Sequence, residues 1–149
     1  MRLSDLHSKV DIYNKRLYNE DMDKMPTIYL DMDGVLADFF GGVEKLYGVD
    51  HWKELTNDKT KDLKSEVIAR ITGTNFFETL PKFPTADNLI KMVKDFTGGT
   101  YSINTSPLRG DNENSAKYKK VWINKHIERP KEIVVTGRKE SWAINKQTK

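Results

Sequence analysis

The feature that most constrains this chain is a short apolar run that delivers two carboxylates to a glycine. Thr27-Ile28-Tyr29-Leu30 reads as a β-strand, Asp31-Met32-Asp33-Gly34 follows at once, and an apolar stretch restarts at Val35. The expected local order is strand, acidic turn, helix. Side chains two residues apart on an extended chain point to the same side, so Asp31 and Asp33 can face one ligand. Gly34 lets the backbone turn sharply at low steric cost. Taken alone, the tetrapeptide fits a turn carrying two exposed acids as well as it fits a site.

The rest of the chain decides what surrounds that turn. Leu3, Leu6, Val10, Tyr13 and Leu17 recur at helical spacing, with Ser4 as a cap, and predict an N-terminal helical extension over residues 1–25. Residues 41–83 show Leu63, Val67 and Ile71 at i, i+4, i+8 and many aromatics, and predict a small helical insert. From Pro84 the pattern changes. A helix carrying Leu89, Ile90, Val93 and Phe96 ends at Gly98-Gly99, a strand runs over residues 100–105, and a helix with Tyr118, Val121, Trp122 and Ile127 stops at Pro130. A further strand covers residues 132–136. Strands alternating with helices imply an α/β fold with a parallel sheet and right-handed crossovers, its core formed by residues 26–40 and 84–149.

Composition narrows the function classes. The 149 residues contain no Cys, which excludes a disulfide framework, a thiolate zinc site and a cysteine nucleophile. A reducing, cytoplasmic setting is the expectation, and no apolar run suits a membrane helix. The net charge is +3, but residues 109–149 hold 11 basic against 5 acidic side chains, a local +6 that leaves −3 for the remainder. The basic C-terminal part suits a small anionic ligand, a phosphate ester or nucleotide. There is no long basic stripe of the kind that binds polymeric nucleic acid.

In open parallel sheets, ligands sit outside the carboxyl ends of the strands. Three loops leave such ends here. The first holds Asp31 and Asp33: one carboxylate can attack phosphorus, and the other can protonate the leaving oxygen and later deprotonate water. Two acids facing a phosphate repel it, which calls for Mg²⁺. The second loop is Thr105-Ser106-Pro107, whose hydroxyl and backbone N–H groups can bond a phosphoryl oxygen. The third element is a helix rich in lysine, Lys117, Lys119, Lys120 and Lys125. One of these lysines reaching the site would neutralise phosphoryl charge.

Strand-Asp-x-Asp-Gly-Val, a helical insert, strand-Thr-Ser-Pro and Lys-x-x-Trp-Ile-x-Lys, in that order, resemble the haloacid-dehalogenase (HAD) superfamily of phosphohydrolases. Asp31 to Phe39, Phe76-Phe77-Glu78 before a Pro-rich turn, and Thr105-Ser106-Pro107 are similar to its 5'(3')-deoxyribonucleotidase branch. The likeness covers roughly residues 27–139. It implies a Rossmann-like HAD core with a helical cap inserted after the first strand. It also implies Asp31 as nucleophile and Asp33 as general acid/base, with Asp31 and the backbone carbonyl of Asp33 on Mg²⁺. Thr105 and Ser106 would bind the phosphoryl group, and Lys119 would be the catalytic lysine, with Lys117 next in line. Phe39, Phe76 and Phe77 would line a nucleobase pocket, though at least one of the pair 76/77 reads better as cap core. Arg138 and Lys139 would lie near the substrate, where the family has an Arg-Asp-Lys turn.

The resemblance lacks its last element, the acidic residues after the next strand that complete the Mg²⁺ site. Three accounts are open: the chain is truncated, Asp111 or Glu113 supplies the ligand, or the domain binds a phosphorylated ligand without turning it over. A short sheet edge would favour pairing with a second copy of the chain.

Overall fold

A computed structural model describes residues 26–56, 62–139 and 141, together with positions 2, 4 and 9. The expected N-terminal extension and the polar end of the chain lie, apart from those few positions, outside the described residues. Strands β1 (Tyr29–Leu30), β2 (Ser102–Thr105) and β3 (Ile133–Val135) form a parallel sheet in the order β1-β2-β3. The register sets Leu30 beside Ile103, Asn104 beside Val134 and Thr105 beside Val135. All three carboxyl ends therefore open on one edge, and the acidic turn, the Thr-Ser-Pro loop and residues 136–139 leave from it together.

Parallel neighbours need crossovers. Helices α1 (Phe39–Tyr47), α2 (Leu63–Ile71) and α3 (Ala86–Thr97) lie between β1 and β2, and α4 (Asn112–His126) lies between β2 and β3. Two short 3₁₀ helices, Trp52–Thr56 and Phe76–Thr79, complete the insert. The mixed α/β architecture expected from the alternation is present. One apolar cluster runs through sheet, helices and insert, from Met32 and Leu36 through Ile71, Phe76 and Leu80 to Ile103, Trp122 and Ile123. No helix among the described residues is long and apolar enough to cross a membrane.

The chain after the acidic turn differs from expectation. The apolar restart at Val35 is not yet helical; α1 begins at Phe39, after Asp38 caps it by accepting from the Gly41 amide at 2.9 Å. Residues 32–37 instead coil on themselves. The Met32 carbonyl accepts from the amides of Leu36 and Ala37, both at 2.9 Å, and Gly34, at φ +79°, donates to the Ala37 carbonyl. Burial explains the choice: Met32, Leu36 and Ala37 are fully enclosed, and a helix starting at Val35 would rotate them apart. The insert is then closed at its base by an antiparallel contact. Asp38 donates to the Pro81 carbonyl (2.8 Å) and Phe83 to the Leu36 carbonyl (2.9 Å), which puts the stalk at residues 36–38 and 81–83.

The insert is also tied to α4. Trp122 is fully buried, and its Nε1 donates to the Leu80 carbonyl at 2.7 Å. The Asp111 carboxylate accepts from the Gly73 amide (3.1 Å) and from Asn114 Nδ2 (2.9 Å), which also reaches the Thr74 carbonyl. Lys125 pairs with Glu78 at 2.6 Å.

Candidate active site

The site begins where β1 ends. Asp31 Oδ1 accepts from the Met32 amide at 2.8 Å and meets Lys139 Nζ at the same distance. Lys139 comes from the loop after β3, and both side chains are partly exposed. Asp31 Oδ2 has no partner among the described residues. Two residues on, Asp33 Oδ2 meets Lys119 Nζ at 2.7 Å. Asp33 Oδ1 is buried and has no hydrogen-bond partner among the described residues.

Lys119 is 1 % exposed, and its burial follows from its place on α4. Ser115, Lys119, Trp122 and Ile123 share the inward stripe of that helix at spacings of three and four. Ser115 Oγ accepts from the Leu108 amide at 2.8 Å, which pins the loop after β2 against α4. The ammonium of Lys119 then reaches Asp33, Thr105 Oγ1 at 3.1 Å and the Ser106 carbonyl at 2.6 Å. It also lies 4.6 Å from the centroid of the Phe77 ring, a cation–π contact in a dry setting.

The structure thus brings Asp31, Asp33, Thr105, Ser106, Lys119 and Lys139 to one edge of the sheet. Ser106 contributes its carbonyl there. Arg138 is exposed on the loop after β3, and its backbone amide donates to Thr136 Oγ1. Lys117 is exposed and stacks over Tyr118. Asp111 is engaged with Gly73 and Asn114 and serves as a brace for the insert; Glu113 is exposed in the first turn of α4.

The aromatics are divided between packing and a cavity. Phe76 and Phe77 are both buried, at 5 % and 3 % exposure, in the packing between insert and α4. Phe76 sits against Gly42, where an added Cβ would lie 3.2 Å from its ring and 2.4 Å from Leu80 Cδ2, so the glycine is what lets α1 approach. Phe39 touches both phenylalanines and also faces an apolar cavity of about 540 Å³. That cavity is walled by Phe40, Val43, Trp52, Leu55 and Leu108 among others. Phe40 and Trp52 pack ring to ring at 5.2 Å. The frequent aromatics of this stretch, Phe39, Phe40 and Trp52 among them, were the available sequence signal for this wall.

A resident cation, if the site uses one, must be held by oxygen. No group of three or more His, Cys, Asp or Glu able to hold a metal ion occurs among the described residues. Asp31 Oδ2 and the orphaned Asp33 Oδ1 are hard acceptors, and Mg²⁺ is often held by one or two carboxylates together with substrate phosphate and water. In kind, the pair fits that ion. Compared with protein-family models and with curated proteins, the chain matches none.

Proposed function

We propose that this chain is a phosphoric monoester hydrolase of HAD type, acting on a (deoxy)nucleoside monophosphate or related nucleotide through a phospho-Asp31 intermediate. The observation that carries the reading is the convergence of two carboxylates, one threonine and two lysines from three separate strand ends and helix α4. Two lysines balance the two acids, so a phosphate dianion and a divalent cation can enter together without net charge building up. Mg²⁺, held by Asp31 and Asp33, would supply Lewis-acid polarisation of a phosphoryl oxygen.

The chain's own residues account for the bond changes. An Asp31 oxygen attacks phosphorus, and the P–O bond to the leaving group breaks. Asp33 gives its proton to the departing oxygen, releasing the alcohol. Asp33 then takes a proton from water, whose oxygen attacks the phosphorus of the acyl phosphate. Inorganic phosphate leaves, Asp31 is again a carboxylate and Asp33 again carries its proton. Thr105 and backbone N–H groups of its loop hold the phosphoryl oxygens.

A second reading, a nucleotide-binding protein with an incomplete site, is favoured by the small donor set that the described residues give at Asp31 and Asp33. Phosphate release from a panel of ribo- and deoxyribonucleoside monophosphates, with Mg²⁺ and with EDTA, separates the two. Metal-dependent release that Asp31→Asn abolishes supports the hydrolase. Ligand-dependent thermal stabilisation without release supports the binding protein.

A further inference from the structure

The catalytic edge does not absorb the basic excess of the C-terminal part. Lys119 and Lys139 meet Asp33 and Asp31, and Lys125 pairs with Glu78. Lys120, Arg129 and Lys131 are exposed and have no carboxylate partner among the described residues. These three cations line one cleft of about 690 Å³ between the last turns of α4 and the start of β3. A cavity of that size suits a small ligand. It lies at the amino end of β3, whereas Asp31 and Lys139 follow the carboxyl ends of their strands.

Local structure builds the cleft. Lys120 and Asn124 stand at i, i+4 on α4, outside the inward stripe of Lys119, Trp122 and Ile123. Pro130 is buried, and the Lys131 amide donates to the Tyr101 carbonyl at 2.9 Å, which fixes the chain entering β3. Ile127 and Pro130 give the cleft an apolar floor. Glu132 is its one acid, set against three cations, and its carboxylate accepts from the Tyr29 hydroxyl at 2.7 Å. The last carbonyl of α4, that of His126, accepts from Lys82 Nζ at 3.1 Å, which offsets the negative helix end that would oppose an anion.

We propose that this cleft is a second anion site, which takes a diphosphate or triphosphate chain, free or carried by a nucleoside. Arg129 offers a planar fork to phosphate oxygens, and Lys120 and Lys131 add point charges from either side. Cations drawn from two elements match a chain of phosphates better than a single one. The apolar floor at Ile127 and Pro130 gives a nucleoside a surface to lie on. A nucleic-acid strand would need basic groups well beyond residues 120–131. The inference does not rest on the hydrolase reading, because none of these residues stands at the catalytic edge.

Titration calorimetry with pyrophosphate, tripolyphosphate and ADP, in EDTA to keep divalent cations out, tests this. Arg129→Gln/Lys131→Gln is expected to weaken all three probes by about tenfold or more, the scale of lost charge-assisted hydrogen bonds. Both positions are exposed, so the variant should keep the unaltered circular dichroism spectrum. Lys91→Gln on α3 removes one exposed cation elsewhere, and Lys139→Gln removes one at the catalytic edge; each should leave affinity within about threefold. ADP binding more tightly than pyrophosphate assigns the apolar floor to a nucleoside, and equal affinity assigns the site to the phosphate chain alone; either supports the proposal. No binding of any probe by the unaltered protein overturns it. So does a loss in Lys91→Gln or Lys139→Gln equal to that in the cleft variant, since the anion is then held by general charge or at the catalytic edge. An oligoglutamate peptide or a single-stranded oligonucleotide that binds the cleft more tightly than every probe also overturns it, by assigning the cleft to a macromolecule.

Discussion

Trp122→Phe tests whether the insert is anchored to α4 as described. The indole is fully buried, and its Nε1 is the partner of the Leu80 carbonyl at 2.7 Å; Leu80 itself is 1 % exposed. Phenylalanine keeps the aromatic ring but has no donor. The carbonyl is then left in a dry setting, which costs about 1–3 kcal/mol. The smaller ring also gives up on the order of 40 Å² of buried carbon surface, about 1 kcal/mol. The expected loss is about 2–4 kcal/mol, a large share of a domain's stability. Urea unfolding followed by far-ultraviolet circular dichroism reads it. With a slope of about 2 kcal/mol per molar, the midpoint should fall by about 1–2 M at unchanged slope. Phe96→Ala on the outer face of α3, where the ring is 60 % exposed, is the control and should cost less than about 0.5 kcal/mol. A Trp122→Phe shift no larger than that of the control would refute the reasoning, because the Leu80 carbonyl would then have found water.

Two further outcomes follow from the same contacts. Asp111→Ala removes the acceptor of the Gly73 amide and of Asn114 Nδ2, and is expected to cost about 1–2 kcal/mol and to speed proteolytic cutting near residues 72–75; unchanged cutting would sink the brace. Tyr29 is raised from 10 to about 12, first by burial and then by the Glu132 carboxylate that its hydroxyl bonds at 2.7 Å; Tyr101 is raised as well, first by burial and then by the charges of Glu128 and Asp87. A raised folded value means stability that is fully present below the unfolded value near 10 and is lost as pH rises through the folded one. The folded protein should therefore show at least two of its six tyrosines titrating well above 10 by absorbance at 295 nm, with stability falling over pH 10–12; six tyrosines ionising together near 10 would contradict it.

Much of the fold was legible because its signals are local. Gly98 ends α3 where a Gly-Gly pair follows an amphipathic run, and β2 and β3 lie inside the stretches that their apolar residues marked. β1 and β2 each begin two residues later than expected and end where expected, and β3 is one residue shorter at each end. The late start of α1 was not legible. Val35, Leu36 and Ala37 have the composition of a first helical turn, and only the burial of Met32 and Leu36 beneath the insert selects the coiled path. Phe76 and Phe77 sit in a 3₁₀ turn with no periodicity to reveal which face is inward.

The lysines show how a site can be half readable. On α4, Lys119 occupies the stripe set by Ser115, Trp122 and Ile123, and a lysine at an inward position must find a carboxylate or leave the helix face. That requirement is in the sequence; the partner is not, because Asp33 lies 86 residues earlier and reaches Lys119 only through the parallel register of β1 and β2. Lys139 carries no such mark. It follows a three-residue strand in a basic, polar loop and looks like any surface lysine until β3 is placed beside β2, one strand away from Asp31. Sequence spacing therefore marks the lysine buried on α4, and the geometry of strand ends is needed to find the one that meets Asp31.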